Sequence, residues 1–292
     1  MTEEKRQQIV DRVFGDEGLK PGLVKMFLDP HHQAEPGGEF DPESTTRWMR
    51  YFVREGLKRT RARGDDLQII TTLCGPPAWA TKQKFLRGRD LDPARKYDLA
   101  KYMVDWVRYL REQEKLPVKY LSLHNEGEDW MRWPTDGKSG NIYTAKVNGI
   151  IPWACIQRPA KWVGGDPNPG TAFRVADDGT YEVLRGYYYD KLLSRAGQPG
   201  MAVARTMVMD SEVAVIAFAR NGTRHADAFT LVNLGKDKRI AVKVRGSGSD
   251  VFEAYRTADE KDRYTLAGQV KLEGDTLLYE APAQSATTFF AK

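Results

Sequence analysis

The triplet His124-Asn125-Glu126 ends an apolar run, Val118-Lys-Tyr-Leu-Ser-Leu, that reads as a β-strand. A carboxylic acid at a strand end, desolvated by neighbouring indoles, has a raised pKa and suits a general acid. The adjoining Asn125 amide offers a donor and an acceptor to a hydroxyl. Three other apolar runs end in similar chemistry. Gly22–Leu28 leads to Asp29, His31 and His32; Leu67–Leu73 leads to Gly75-Pro-Pro-Ala-Trp79; Val147–Ile156 carries Trp153 and leads to Gln157. Carboxylates and amides that bond hydroxyls, set among flat aromatic faces, are the makings of a sugar-binding rim. An Asn-Glu pair on its own is more often a loop cap; the flanking strand, the Pro-Pro-Ala-Trp79 turn and Trp153 are what favour chemistry.

Such a rim needs strands whose carboxyl ends face one way, and the elements supply them. Asp41-Pro42 and Asp92-Pro93 each pair an N-cap with proline at the first helical position. Trp48, Met49, Phe52, Val53 and Leu57 form one helical face, and Leu99, Met103, Trp106, Val107 and Leu110 another; Ile9, Val10, Val13 and Phe14 mark a first helix. Strands separated by amphipathic helices predict βαβ crossovers and a parallel sheet, with reactive groups at the carboxyl edge. From about Met201 the period changes to short alternating runs: Ala202–Met209, Val213–Ala219, Ala228–Asn233, Ile240–Val244, Val251–Tyr255, Tyr264–Ala267, Thr276–Glu280 and Thr287–Phe290. Turns such as Asn221-Gly222 separate them, which predicts an antiparallel β-sandwich. The expected fold class is therefore α/β plus β, with domains 1–198 and 199–292.

These residues also carry a family pattern. Gly75-Pro-Pro-Ala-Trp79, Leu121-Ser-Leu-His-Asn-Glu126 and Val147-Asn-Gly-Ile-Ile-Pro-Trp153 resemble glycoside hydrolase family 30, of the retaining clan built on (β/α)8 TIM-type barrels. Phe173-Arg-Val with Asp178-Gly-Thr-Tyr181, and Tyr187-Tyr-Tyr leading to Ser194-Arg-Ala-Gly-Gln-Pro-Gly200, extend the resemblance discontinuously over nearly the whole chain. It implies that Glu126 is the catalytic acid/base, Asn125 a hydroxyl-binding partner, and Trp79 and Trp153 sugar-contacting walls. His124 and Gln157 are expected on the same rim. One local departure is Gly127, where the family pattern has proline.

The length departs further. An eight-stranded barrel takes about 250 residues and each βαβ unit roughly 30. Only four strand signals precede the sandwich, and the 22 residues from 127 to 148 cannot hold three further strands with their helices. The expectation is an incomplete barrel lacking its first strand and an internal block, and with that block the glutamate nucleophile. Retaining hydrolysis needs two carboxyl groups about 5–5.5 Å apart. Glu128, Asp129, Asp29 and Asp166 are the nearby carboxylates, each better read as structural. The expected function is a β-glycosidase-type protein with impaired turnover. The competing expectations are a non-catalytic carbohydrate-binding remnant and a gene fragment that folds poorly.

Composition bounds the rest. The 292 residues are 41% hydrophobic and 29% charged, with net charge +5. No run approaches the roughly 20 apolar residues of a membrane span, and the charged start shows no secretory leader, which leaves localisation open. Cys74 and Cys155 exclude a disulfide scaffold and are expected as buried thiols. The run Arg54, Lys58, Arg59, Arg61 and Arg63 falls in the last turns of a helix and has no nucleic-acid motif beside it. His31 and His32, being adjacent, do not face one ion, so neither metal nor organic cofactor is expected. Asn221-Gly-Thr223 reads as a hairpin turn in preference to a glycosylation site. Trp130 and Trp133 are a further sugar platform or local packing, and Tyr187–Tyr189 are expected against the sandwich.

Overall fold

A computed structural model describes residues 1–86, 90–123, 155–158, 171–259 and 261–292. The chain forms two compact units, one of Gly22–Thr135 and one joining Met1–Pro21 to Asp136–Lys292. Among the described residues no helix is long and apolar enough to cross a membrane.

In the Gly22–Thr135 unit, β1 (Leu23–Leu28), β2 (Gln68–Leu73) and β3 (Val118–Ser122) form a parallel sheet in that order. Leu23 pairs with Gln68 and Leu28 with Leu73, and Ile69 pairs with Val118. The helices α2 (Pro42–Ala62) and α3 (Lys96–Glu112) are the crossovers. Asp41 caps α2, its carboxylate accepting the Ser44 hydroxyl and, at 3.2 Å, the Ser44 N–H, and these bonds, the hydroxyl's first, hold its carboxyl below the usual range. Pro93 opens a single 3-10 turn, Pro93–Arg95, and α3 begins only after it. On α3 Leu99, Met103, Trp106 and Leu110 of the periodic stripe are buried, Trp106 and Leu110 fully enclosed, while Val107 is half-buried. Trp106 bridges to the sheet by donating its indole N–H to Thr71 Oγ1 at 2.8 Å.

The α2 face differs from expectation. Val53 and Leu57 are buried, but Trp48 is 45% exposed and Arg50 takes a buried place. Arg50 fits there because Glu43 and Glu114 neutralise it and Tyr109 Oη accepts from it at 3.1 Å. Paired charge is tolerated inside a protein where lone charge is not. The basic run at the end of α2 is held locally: Lys58 and Arg59 by Glu55 at 2.6 and 3.2 Å, and Arg63 by Asp65 at 2.6 Å.

The other unit begins with α1 (Glu3–Phe14), which buries Ile9, Val10, Val13 and Phe14. Then β4 (Ile156–Gln157), β5 (Phe173–Val175) and β6 (Tyr181–Val183) make a small mixed sheet. The expected strand over 147–156 lies, apart from its last two residues, outside the described residues. Helix α4 (Arg185–Ala196) follows, then β7 (Ala202–Ala204), β8 (Val213–Ala219), β9 (Ala228–Asn233), β10 (Lys238–Lys243), β11 (Val251–Thr257), β12 (Arg263–Lys271), β13 (Thr276–Ala281) and β14 (Ser285–Ala291). Six of these form an antiparallel sheet in the order β12-β11-β14-β9-β8-β7, and β10 pairs with β13.

Side-chain alternation sorts the two faces of the large sheet. Phe229, Leu231 and Phe289 face the β10–β13 ribbon and share a core with Phe252, Leu277 and Tyr279. Thr230 and Thr288 point the other way, bonded to each other at 2.8 Å, and Thr288 donates to the Leu192 carbonyl of α4 at 3.2 Å. Asn221 and Gly222 both take positive φ, 46° and 77°, with the Thr223 N–H returning to the Arg220 carbonyl at 2.8 Å. That is the turn expected of Asn-Gly.

Three local expectations are corrected. The run Ala202–Met209 stops pairing at Ala204, and Met207 and Met209 are exposed. Cys74 is half-buried, and Cys155 is exposed as a residue while burial around its thiol pushes the pKa up to about 12. Tyr187 packs on Phe173 and bonds the Arg12 carbonyl at 2.9 Å, leaving Tyr188 and Tyr189 to meet the large sheet and its loops.

Candidate functional site

The site is built where β1 and β2 end. Leu28 closes β1, and of the next five residues, 29–33, only His31 is exposed. The Asp29 carbonyl accepts the His32 N–H at 3.2 Å and the Tyr102 hydroxyl from α3. Burial and the nearby Asp29 carboxylate push the Tyr102 phenol up, so it stays protonated and donates. His32 is fully enclosed, 4.9 Å from the Phe40 ring and 4.6 Å from Trp106, with Nε2 3.2 Å from Thr46 Oγ1. Among the described residues its Nδ1 has no hydrogen-bond partner. Desolvation pushes its pKa down to about 4, so the ring is neutral near pH 7.

Gln33 is buried and donates to the Gly38 carbonyl at 3.0 Å, while its own carbonyl accepts the Trp79 indole N–H at 3.3 Å. Trp79 sits in a 3-10 turn, Ala78–Ala80, because Pro76 and Pro77 stop β2 and turn the chain across its end. Its ring meets Tyr102 edge-on at 5.9 Å and 85°. The residue is half-buried.

His31 alone leaves the loop for solvent. The Asp29 carboxylate accepts its backbone N–H at 2.9 Å and lies 2.7 Å from its Nδ1. The two histidines therefore occupy opposite environments, one exposed and one enclosed. Among the described residues no group of three metal-ligating side chains is present.

Of the expected site residues, Trp79 stands at this rim with Asp29 and His31. Gln157 lies in the other unit, on β4, where its Oε1 accepts the Thr171 hydroxyl at 2.7 Å. His124, Asn125, Glu126 and Trp153 lie outside the described residues, as do Glu128, Asp129, Trp130, Trp133 and Asp166. Sequence reasoning missed Tyr102 and Gln33. The signal for Tyr102 was present: it is three residues after Leu99 and four before Trp106, so it shares their helical face.

No family model and no curated protein matches this sequence. Solved structures do match its fold. An endoxylanase of glycoside hydrolase family 30 from Clostridium papyrosolvens C71 shares 14% identity at a TM-score of 0.62, over 97% of this chain and 92% of that one. A family 30 subfamily 8 xylanase from Clostridium acetobutylicum shares 16% at 0.64, over 97% and 92%. The catalytic domain of a family 30 xylanase from Talaromyces cellulolyticus shares 13% at 0.61, over 100% and 93%. The class defined is thus one of fold: this chain has a fold like that of the family 30 glycoside hydrolases.

Proposed function

We propose that this chain is a glycoside hydrolase-type protein whose site takes a β-linked polysaccharide, with β-xylan the first candidate. The observation that carries the reading is the fold match, over nearly the whole chain, to three family 30 xylanases. Trp79 supports it, as an indole fixed by its N–H and by Tyr102 at the end of β2, where strand-end chemistry is concentrated. In this reading residues 1–198 are an incomplete (β/α) barrel and residues 199–292 a β-sandwich side domain. Glu126 protonates the leaving oxygen and Asn125 bonds a ring hydroxyl. Trp79 and Trp153 are the sugar-contacting candidates, and His124 and Gln157 further substrate-binding candidates.

A retaining reaction would need a second carboxylate. Asp29, one of the carboxylates near the rim, is already bonded by the His31 backbone and ring, which disfavours it as a nucleophile. Turnover is therefore expected to be slow or absent, and Trp79 keeps carbohydrate binding without hydrolysis as the second reading. Incubation with 4-nitrophenyl β-xyloside and with xylan, alongside calorimetry with xylohexaose, separates the two. Robust hydrolysis lost in Glu126→Gln establishes the enzyme and removes the impairment. Binding that survives Glu126→Gln but falls in Trp79→Ala establishes the second reading. Neither hydrolysis nor binding with any β-glycan would sink both.

A further inference from the structure

Asp29 and His31 form an oriented pair that the hydrolytic reading leaves unused. A carboxylate only accepts hydrogen bonds, so the 2.7 Å contact requires His31 to donate from Nδ1. In the neutral ring Nε2 is then the acceptor, and the tautomer is set by its partner. The His31 side chain is 61% exposed and that of Asp29 30%. No other hydrogen bond engages the His31 ring among the described residues. The loop beneath it is held by Tyr102 on the Asp29 carbonyl and by buried His32. Two residues further on, the Gln33 carbonyl holds the Trp79 indole. One short loop thus fixes a flat apolar ring and a directed imidazole nitrogen.

We propose that His31 is a substrate-contacting residue of this rim, its Nε2 accepting a hydrogen bond from a carbohydrate hydroxyl, and that Asp29 is its positioning residue. The inference rests on the reading of the rim as a carbohydrate site. It assigns Asp29 a different task from that of a free carboxylate: it holds the imidazole in one tautomer and one orientation. Pre-set geometry of this kind spares the ring the loss of rotamer freedom on binding. Specificity follows, because a ligand lacking the matching hydroxyl leaves Nε2 facing an apolar group.

Xylohexaose is the probe, titrated into the full chain by calorimetry, with the His31 ring nitrogens followed by NMR. The expected result is binding weakened about fivefold in His31→Ala, the scale of one lost hydrogen bond. His31→Gln, whose amide carries an acceptor, should recover part of it. In the free protein the ring signals should report the Nδ1–H tautomer, and Nε2 should shift on adding xylohexaose. In Asp29→Ala the tautomer should become mixed and affinity fall about threefold. If Trp79→Ala abolishes binding while His31→Ala and the Nε2 signal are unmoved, the assignment of His31 is overturned and the carbohydrate reading stands. If the wild-type protein binds no xylohexaose, both fall together.

Discussion

Two neighbouring histidines show how far environment outweighs identity. His31 keeps its ring in solvent against a carboxylate, whereas His32 is walled in by Phe40 and Trp106. Burial depresses the folded-state pKa of His32 to about 4, against about 6.5 when unfolded. Between those values the unfolded chain binds a proton that the folded chain refuses, so stability falls as pH drops from 6.5 to 4. The shift corresponds to roughly 3 kcal/mol from this one ring. Urea titrations of wild type and His32→Phe should diverge in favour of the variant across that window and run parallel above it; parallel curves throughout would refute the assignment. Spacing alone left Asp29, His31 and His32 as one undivided cluster. The choice between solvent and core was made by Phe40 and Trp106, one eight residues past His32 and the other on a distant helix.

At the level of elements, punctuation was readable and facing was not always so. Asp41-Pro42 starts α2 where cap chemistry places it, since the Ser44 bond and the proline's fixed φ are local effects. Which side of α2 turns inward was misjudged, because Arg50 counts as polar in any periodicity while Trp48 counts as core. Glu114, just beyond α3, reverses that count by pairing with both Arg50 and Arg54. Arg50→Ala would leave Glu114, only 10% exposed, with Arg54 and the Tyr109 hydroxyl. The expected loss is about 3 kcal/mol, measured by chemical denaturation, with part regained when Glu114→Gln removes the stranded charge. A neutral result would mean that the pair contributes nothing net.

At the level of the molecule, the stretch beyond Met201 was the most legible, because strict alternation and turn residues encode both strand and face. Phe229 and Phe289 stack at 4.6 Å, and Tyr279 meets Phe289 edge-on at 5.0 Å. Phe289→Ala is expected to cost about 3–5 kcal/mol, seen as a lowered melting midpoint by calorimetry. A loss below about 1 kcal/mol would show that this core is not close-packed. The ordering of the six strands was beyond periodicity: β14 lies between β11 and β9, and no local signal names a partner more than fifty residues away.

The same division runs through the whole protein. Helix caps, strand runs, the Asn-Gly turn and the proline-stopped Trp79 corner were readable in the chain, because each depends on residues within a few positions of one another. The pairing order of strands and the burial of Arg50 and His32 were set by contacts between distant segments. Burial and charge compensation belong to neighbours in space, and a linear pattern carries no record of them.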